Sequence, residues 1–167
     1  MNLLPHPEFK WKDDVVLYGM FDENAWFTPA SISHFMSGFI LFYIIKKLFN
    51  YKNYQTIIIA NLLHAIEDYM ENTSTISLEA IAGQIVGCKN TLLVETNDKD
   101  CIQNFLGDII SFLMGSLLAY NMTKRKNINN FIYSNLVYVI GTVAIIWIYA
   151  CKYLPVPKMN ERKDTGI

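Results

Sequence analysis

Residues 31–45 read SISHFMSGFILFYII, inside a longer run, 24–45, that holds no Asp, Glu, Lys or Arg. A second run, 127–151, is equally free of them and contains IYSNLVYVIGTVAIIWIYA. At 22 and 25 residues both can cross a hydrocarbon layer, which takes about 20 residues of α-helix. Two shorter runs lie between them, 53–66 and 109–123, of 14 and 15 residues. Each reaches spanning length only by taking in acids on one flank: Glu67, Asp68 and Glu71 for the first, Asp108 for the second.

The pattern predicts an all-α fold, a polytopic membrane protein built as a bundle of four transmembrane helices. The spans fall at about 28–48, 54–72, 102–123 and 131–152. Residues 1–27 then form an N-terminal segment, 28–152 the membrane domain and 153–167 a polar tail. No basic start followed by an apolar stretch is seen in MNLLPHPEFKWKDD, so the first span is expected to direct insertion itself.

Composition agrees with this reading. Charged residues are 17% of the 167 and hydrophobic residues 52%, against about a quarter charged in soluble domains. A net charge of -1 gives no overall attraction for nucleic acid. Three cysteines are too few for a disulfide-built scaffold.

Charge in the connections sets the orientation. Lys46, Lys47 and Lys52 follow the first span, and Lys124, Arg125 and Lys126 follow the third; neither connection holds an acid. The positive-inside rule makes that side cytoplasmic. Both termini, the 73–101 loop between the second and third helices and all 15 acids then belong to the non-cytoplasmic side or to helix ends facing it. In that loop SLEAIAGQIVG reads as a short interfacial helix and TNDKD as a turn. Cys88 and Cys101 lie there, either disulfide-bonded or as two thiols. Two glycosylation sequons, at Asn72 and Asn121, are expected to be unused, one abutting the membrane and one facing the cytoplasm. Trp26, Phe27, Trp147, Tyr149 and Tyr153 read as interface anchors.

The polar residues inside the spans converge. A helix advances 100° per residue, so Asn61, His64, Glu67, Asp68 and Glu71 share one face of the second span. Asn104, Asp108, Ser111 and Gly115 share a face of the third, and Ser31, His34 and Gly38 a stripe of the first. The topology puts all three sets near the non-cytoplasmic side. Ionisable groups inside a membrane are costly and mark function by default. Imidazole and carboxylate together suit zinc, manganese or iron, and His64 with Glu67 has the i, i+3 spacing of bundle metal sites.

His34, His64, Glu67, Glu71 and Asp108 are the candidate ligands of a divalent metal. A metal-free acid–base site is a second reading, with His34, Glu71 and Asp108 as the catalytic groups and Asn104 orienting a substrate oxygen. A polar network that locks the helices together is a third. Asp68 is expected to be interfacial. Gly107, Ser111, Gly115 and Ala119, four apart, read as a close-packing stripe, and the fourth span as structural.

Three blocks carry a resemblance. Trp26-Phe27-Thr28-Pro29 precedes His34 by five positions from the proline, and Glu71-Asn72 ends a span. Asp100, Asn104 and Asp108 precede Gly115 and Ala119. Over about residues 24–123 the chain resembles an uncharacterised bacterial inner-membrane family with a domain of unknown function, and more loosely VanZ-like proteins. It departs at His64, where that family has an acid, at His34-Phe35, where it has histidine-glycine, and in the 73–99 loop. The VanZ-like resemblance implies cell-envelope or lipid-linked chemistry. The expectation is therefore a site acting on a lipid or lipid-linked headgroup. The alternative is a non-catalytic membrane subunit or assembly factor with membrane-protein partners.

Overall fold

In the computed structural model, residues 9–19, 25–73, 78–88 and 101–153 are described. Two short strands, β1 (Val16–Tyr18) and β2 (Ala25–Phe27), pair in parallel, Val16 opposite Ala25 and Tyr18 opposite Phe27. Five helices follow: α1 (Ser31–Phe49), α2 (Asn53–Thr73), α3 (Leu78–Val86), α4 (Ile102–Thr123) and α5 (Lys126–Tyr153). The strand pair is a small departure from a purely helical expectation. α3 falls on the predicted interfacial helix, and α5 begins earlier than predicted, five residues before Phe131. The TNDKD turn lies outside the described residues.

α1, α4 and α5 are each long and apolar enough to cross a membrane. Their outward surfaces carry large apolar side chains, among them Ile110, Met114 and Leu117 on α4 and Val137, Ile145 and Ile146 on α5. Only Ile132, Leu136 and Cys151 of α5 are buried. α2 is of spanning length, but its polar stripe keeps it from being apolar enough by composition.

The three inner helices run alternately up and down. Asn50 ends α1 in the left-handed region (φ 50°), its N–H bonded to the Lys46 carbonyl at 3.0 Å, and the chain reverses into α2 within three residues. Asn tolerates that conformation better than most residues. Asn53, at the start of α2, donates to the Thr123 hydroxyl at the end of α4 at 3.3 Å. Lys46, Lys47 and Lys52 thus share one end of the bundle with Lys124 and Arg125. The start of α1, the end of α2 and the start of α4 share the other, called here the Ser31 end.

α1 and α4 make the closest contact. A Cβ on Gly38 would collide with the Phe112 carbonyl, and one on Gly115 with the Phe35 carbonyl. Ser116 donates to the Gly38 carbonyl at 3.2 Å across the same seam. The seam continues to β2, whose Trp26 carbonyl lies over Gly107. The stripe of small residues therefore packs backbone against backbone.

The N-terminal segment caps the Ser31 end. The Ile102 N–H donates to the Lys10 carbonyl at 3.2 Å, Phe9 packs edge-on against Phe105, and Trp11 against Trp26. Towards the opposite end the interior is apolar, with Phe42, Tyr43, Ala119, Ile132 and Leu136 in one cluster. Towards the Ser31 end it is polar.

A disulfide joins Cys88, just after α3, to Cys151 near the end of α5, with Cα atoms 4.6 Å apart. This corrects the Cys88–Cys101 pairing weighed above. Cys101 instead caps α4, its thiol accepting from the Asn104 N–H at 3.4 Å. The geometric reason is placement: Cys101 is drawn into the helix start, while α5 delivers Cys151 to the same end of the bundle as α3.

Candidate functional site

Buried positions on α2 recur every fourth residue: Thr56, Ala60, His64, Asp68 and Asn72. That stripe, rather than one through Glu67, faces α1 and α4. His64 and Asp68 therefore point inwards together. His34, in the first turns of α1, meets them there: the His34 and His64 rings lie 5.0 Å apart, tilted by 43°. His34, His64 and Asp68 each offer one ligand atom, and the three atoms lie within 4.8 Å of one another. The three residues are 3%, 4% and 2% exposed. Phe112 of α4 stacks on the His64 ring at 4.1 Å and 14°, which fixes the plane of the imidazole.

Asp68 was expected at the interface, and the structure places it at the centre. The correction has a simple cause. The predicted arc of α2 spans both Glu67 and Asp68, and the rotation of α2 against its neighbours admits only the acid at i+4 from His64. Glu67 stays about a third exposed, with Oε2 3.5 Å from His64 Nδ1. It stands behind the ring, not in the cluster. On the other side of the ring, Nε2 lies 3.6 Å from Asp68 Oδ2 and makes no hydrogen bond among the described residues.

Asp108 approaches from α4. Its Oδ2 is 3.7 Å from His34 Nε2, and its Oδ1 accepts a 2.6 Å hydrogen bond from the Ser31 hydroxyl. Ser31 Oγ in turn accepts the Thr28 N–H at 3.1 Å. Asp108 thus adjoins His34 without joining the three-atom cluster. Ser31 belonged to the α1 stripe in the sequence, but its bond to Asp108 shows only once α1 and α4 are docked.

Glu71 and Asn104 are buried at the same end, one turn beyond Asp68 and one turn before Asp108. Neither is part of the three-residue group. Asn72 is buried and bonds the Asp68 carbonyl at 3.1 Å, which agrees with an unused sequon.

Chemically the arrangement offers two imidazoles and a carboxylate buried together between helices. A further carboxylate, held by a serine, flanks it. Buried charges of this kind persist only when paired, protonated or bound to a cation. Neither a family profile, nor a curated protein, nor a solved structure matches the chain.

Proposed function

We propose that this chain is an integral membrane protein of four spans that carries a functional His/Asp site at the level of the non-cytoplasmic headgroups, acting on a lipid or lipid-linked headgroup. The observation that carries the proposal is the convergence of His34, His64 and Asp68 within 4.8 Å, all buried, at one end of the bundle. α2 is the fourth span. Its composition alone falls short, but its polar stripe faces α1 and α4 while Ile58, Leu62, Leu63 and Ile66 face outwards. A helix whose polar groups point into a bundle crosses lipid without exposing them.

The basic connections, Lys46, Lys47 and Lys52 with Lys124, Arg125 and Lys126, lie at the end opposite the site. The positive-inside rule then puts the Ser31 end outside. The disulfide at the same end supports this orientation, because disulfides persist in oxidising compartments. His34 lies three residues into α1, or roughly 5 Å below its start. That depth is within reach of a headgroup.

The test is lipid profiling by mass spectrometry of cells expressing the protein or His64→Ala at matched levels. A lipid or lipid-linked class that shifts with the wild type and not with His64→Ala supports the reading. Identical profiles, with both proteins folded, contradict it. They would instead favour a non-catalytic subunit or assembly factor whose polar cluster holds the helices together. The 2.6 Å Ser31–Asp108 bond between α1 and α4 is what that second reading has in its favour.

A further inference from the structure

We infer that His34, His64 and Asp68 are the protein ligands of one divalent transition-metal ion, with a coordination position left open towards the headgroup side. The inference deepens the headgroup reading of the same site and rests on it only for the nature of what fills the open position.

The first argument is distance. A tetrahedral centre with metal–ligand bonds of roughly 2.0–2.2 Å sets its ligand atoms about 3.3–3.6 Å apart. His64 Nε2 and Asp68 Oδ2 are 3.6 Å apart. That is too long for a hydrogen bond between them, and it matches one edge of a coordination polyhedron. All three ligand atoms fit within 4.8 Å.

The second argument is the surroundings. A ligating histidine usually turns its other ring nitrogen to a carboxylate or carbonyl, which fixes the tautomer and the ring. Glu67 stands 3.5 Å from His64 Nδ1, opposite the nitrogen that faces Asp68. Phe112 holds the ring plane. At 3.5 Å this is not yet a hydrogen bond, and Glu67 is inferred as the positioning residue that accepts the Nδ1 proton when Nε2 ligates. Asp108, with Oδ2 3.7 Å from His34 Nε2 and Oδ1 anchored by Ser31, adds a second carboxylate beside the group.

The third argument is the donor set. Two nitrogens and one oxygen suit zinc, iron or manganese better than calcium or magnesium, which prefer all-oxygen shells. Three protein ligands, rather than four, are the number that leaves room for water or a substrate oxygen. A phosphate or carboxyl oxygen of a headgroup has the right charge and hardness for that position.

The experiment uses the full-length protein in detergent, stripped with chelator and titrated with Zn²⁺ by calorimetry and with Co²⁺ by visible absorption. One equivalent of each ion is expected, with a cobalt spectrum of four- or five-coordinate intensity. Asp68→Asn and His64→Gln should weaken binding at least ~100-fold. Glu67→Gln should weaken it by about 10- to 100-fold. Gly141→Ala, on α5 where an added Cβ meets nothing within 4 Å, should bind as the wild type does. Elution as a single species and an unchanged circular dichroism spectrum show which variants are folded.

Substoichiometric binding by the wild type overturns the inference whatever the variants do. Asp68→Asn binding as tightly as the wild type overturns the ligand set. A His64-dependent lipid shift without stoichiometric metal removes the metal and leaves the headgroup reading. Stoichiometric metal with no lipid shift does the reverse.

Discussion

Single residues divide sharply by what surrounds them. Gly115 and Gly141 are both helical glycines, yet a Cβ at Gly115 collides with the Phe35 carbonyl while one at Gly141 meets nothing within 4 Å. Overpacking of this kind typically costs about 1–3 kcal/mol, so Gly115→Ala should lower thermal stability in detergent markedly. Gly141→Ala should leave it unchanged or raise it, since alanine favours helix by up to about 1 kcal/mol. Equal melting temperatures for the two variants would contradict the α1–α4 seam. Ser31→Ala removes the 2.6 Å bond to Asp108. Leaving one partner of a buried hydrogen bond unsatisfied costs about 1–3 kcal/mol, and a loss of that size is the expected reading by chemical unfolding.

The same scale shows where the sequence stops being legible. Spacing identified His34, His64 and Asp108 as inward-facing polar residues, and the structure places all three there. It puts Glu67 in the site and Asp68 at the interface, the reverse of what the structure shows, because neighbours in sequence differ by only 100° on a helix. What separates them is how α2 is rotated against α1 and α4, and that is a property of the whole seam.

At the scale of elements, helix positions are legible because long charge-free runs mark them. α1, α2 and α4 start and stop within three residues of the spans predicted at 28–48, 54–72 and 102–123. Two features were not. The early start of α5 escaped because Lys126 and the polar residues after it read as connection. The Cys88–Cys151 pairing escaped because Cys151 was read as part of a span, although the same topology brings that end of the helix beside the 73–101 loop.

The disulfide has a mechanical consequence. α5 is buried only at Ile132 and Leu136 near one end and at Cys151 near the other. The bridge is therefore its main tether at the Ser31 end. Cys151→Ser should speed amide hydrogen exchange in the second half of α5 and leave α1 and α4 protected. A bridge closing a loop of this size contributes roughly 2–4 kcal/mol. Unchanged exchange along α5 would show that its packing, not the bridge, holds it.

Across the whole molecule, charge and chemistry are separated along one axis. The six basic residues of the two connections lie at one end. The polar interior, the disulfide and the N-terminal cap lie at the other. The near-zero net charge of -1 conceals this polarity. The proposed headgroup reading depends on this polarity, because it is what would assign the buried His/Asp cluster to one leaflet.

The most direct measurement is accessibility of introduced cysteines to a membrane-impermeant maleimide in intact cells. Asp13→Cys, in the cap, is predicted to label from outside. Lys52→Cys and Arg125→Cys are predicted to label only after permeabilisation. Labelling of Arg125→Cys in intact cells, with Asp13→Cys protected, would invert the molecule and contradict the account.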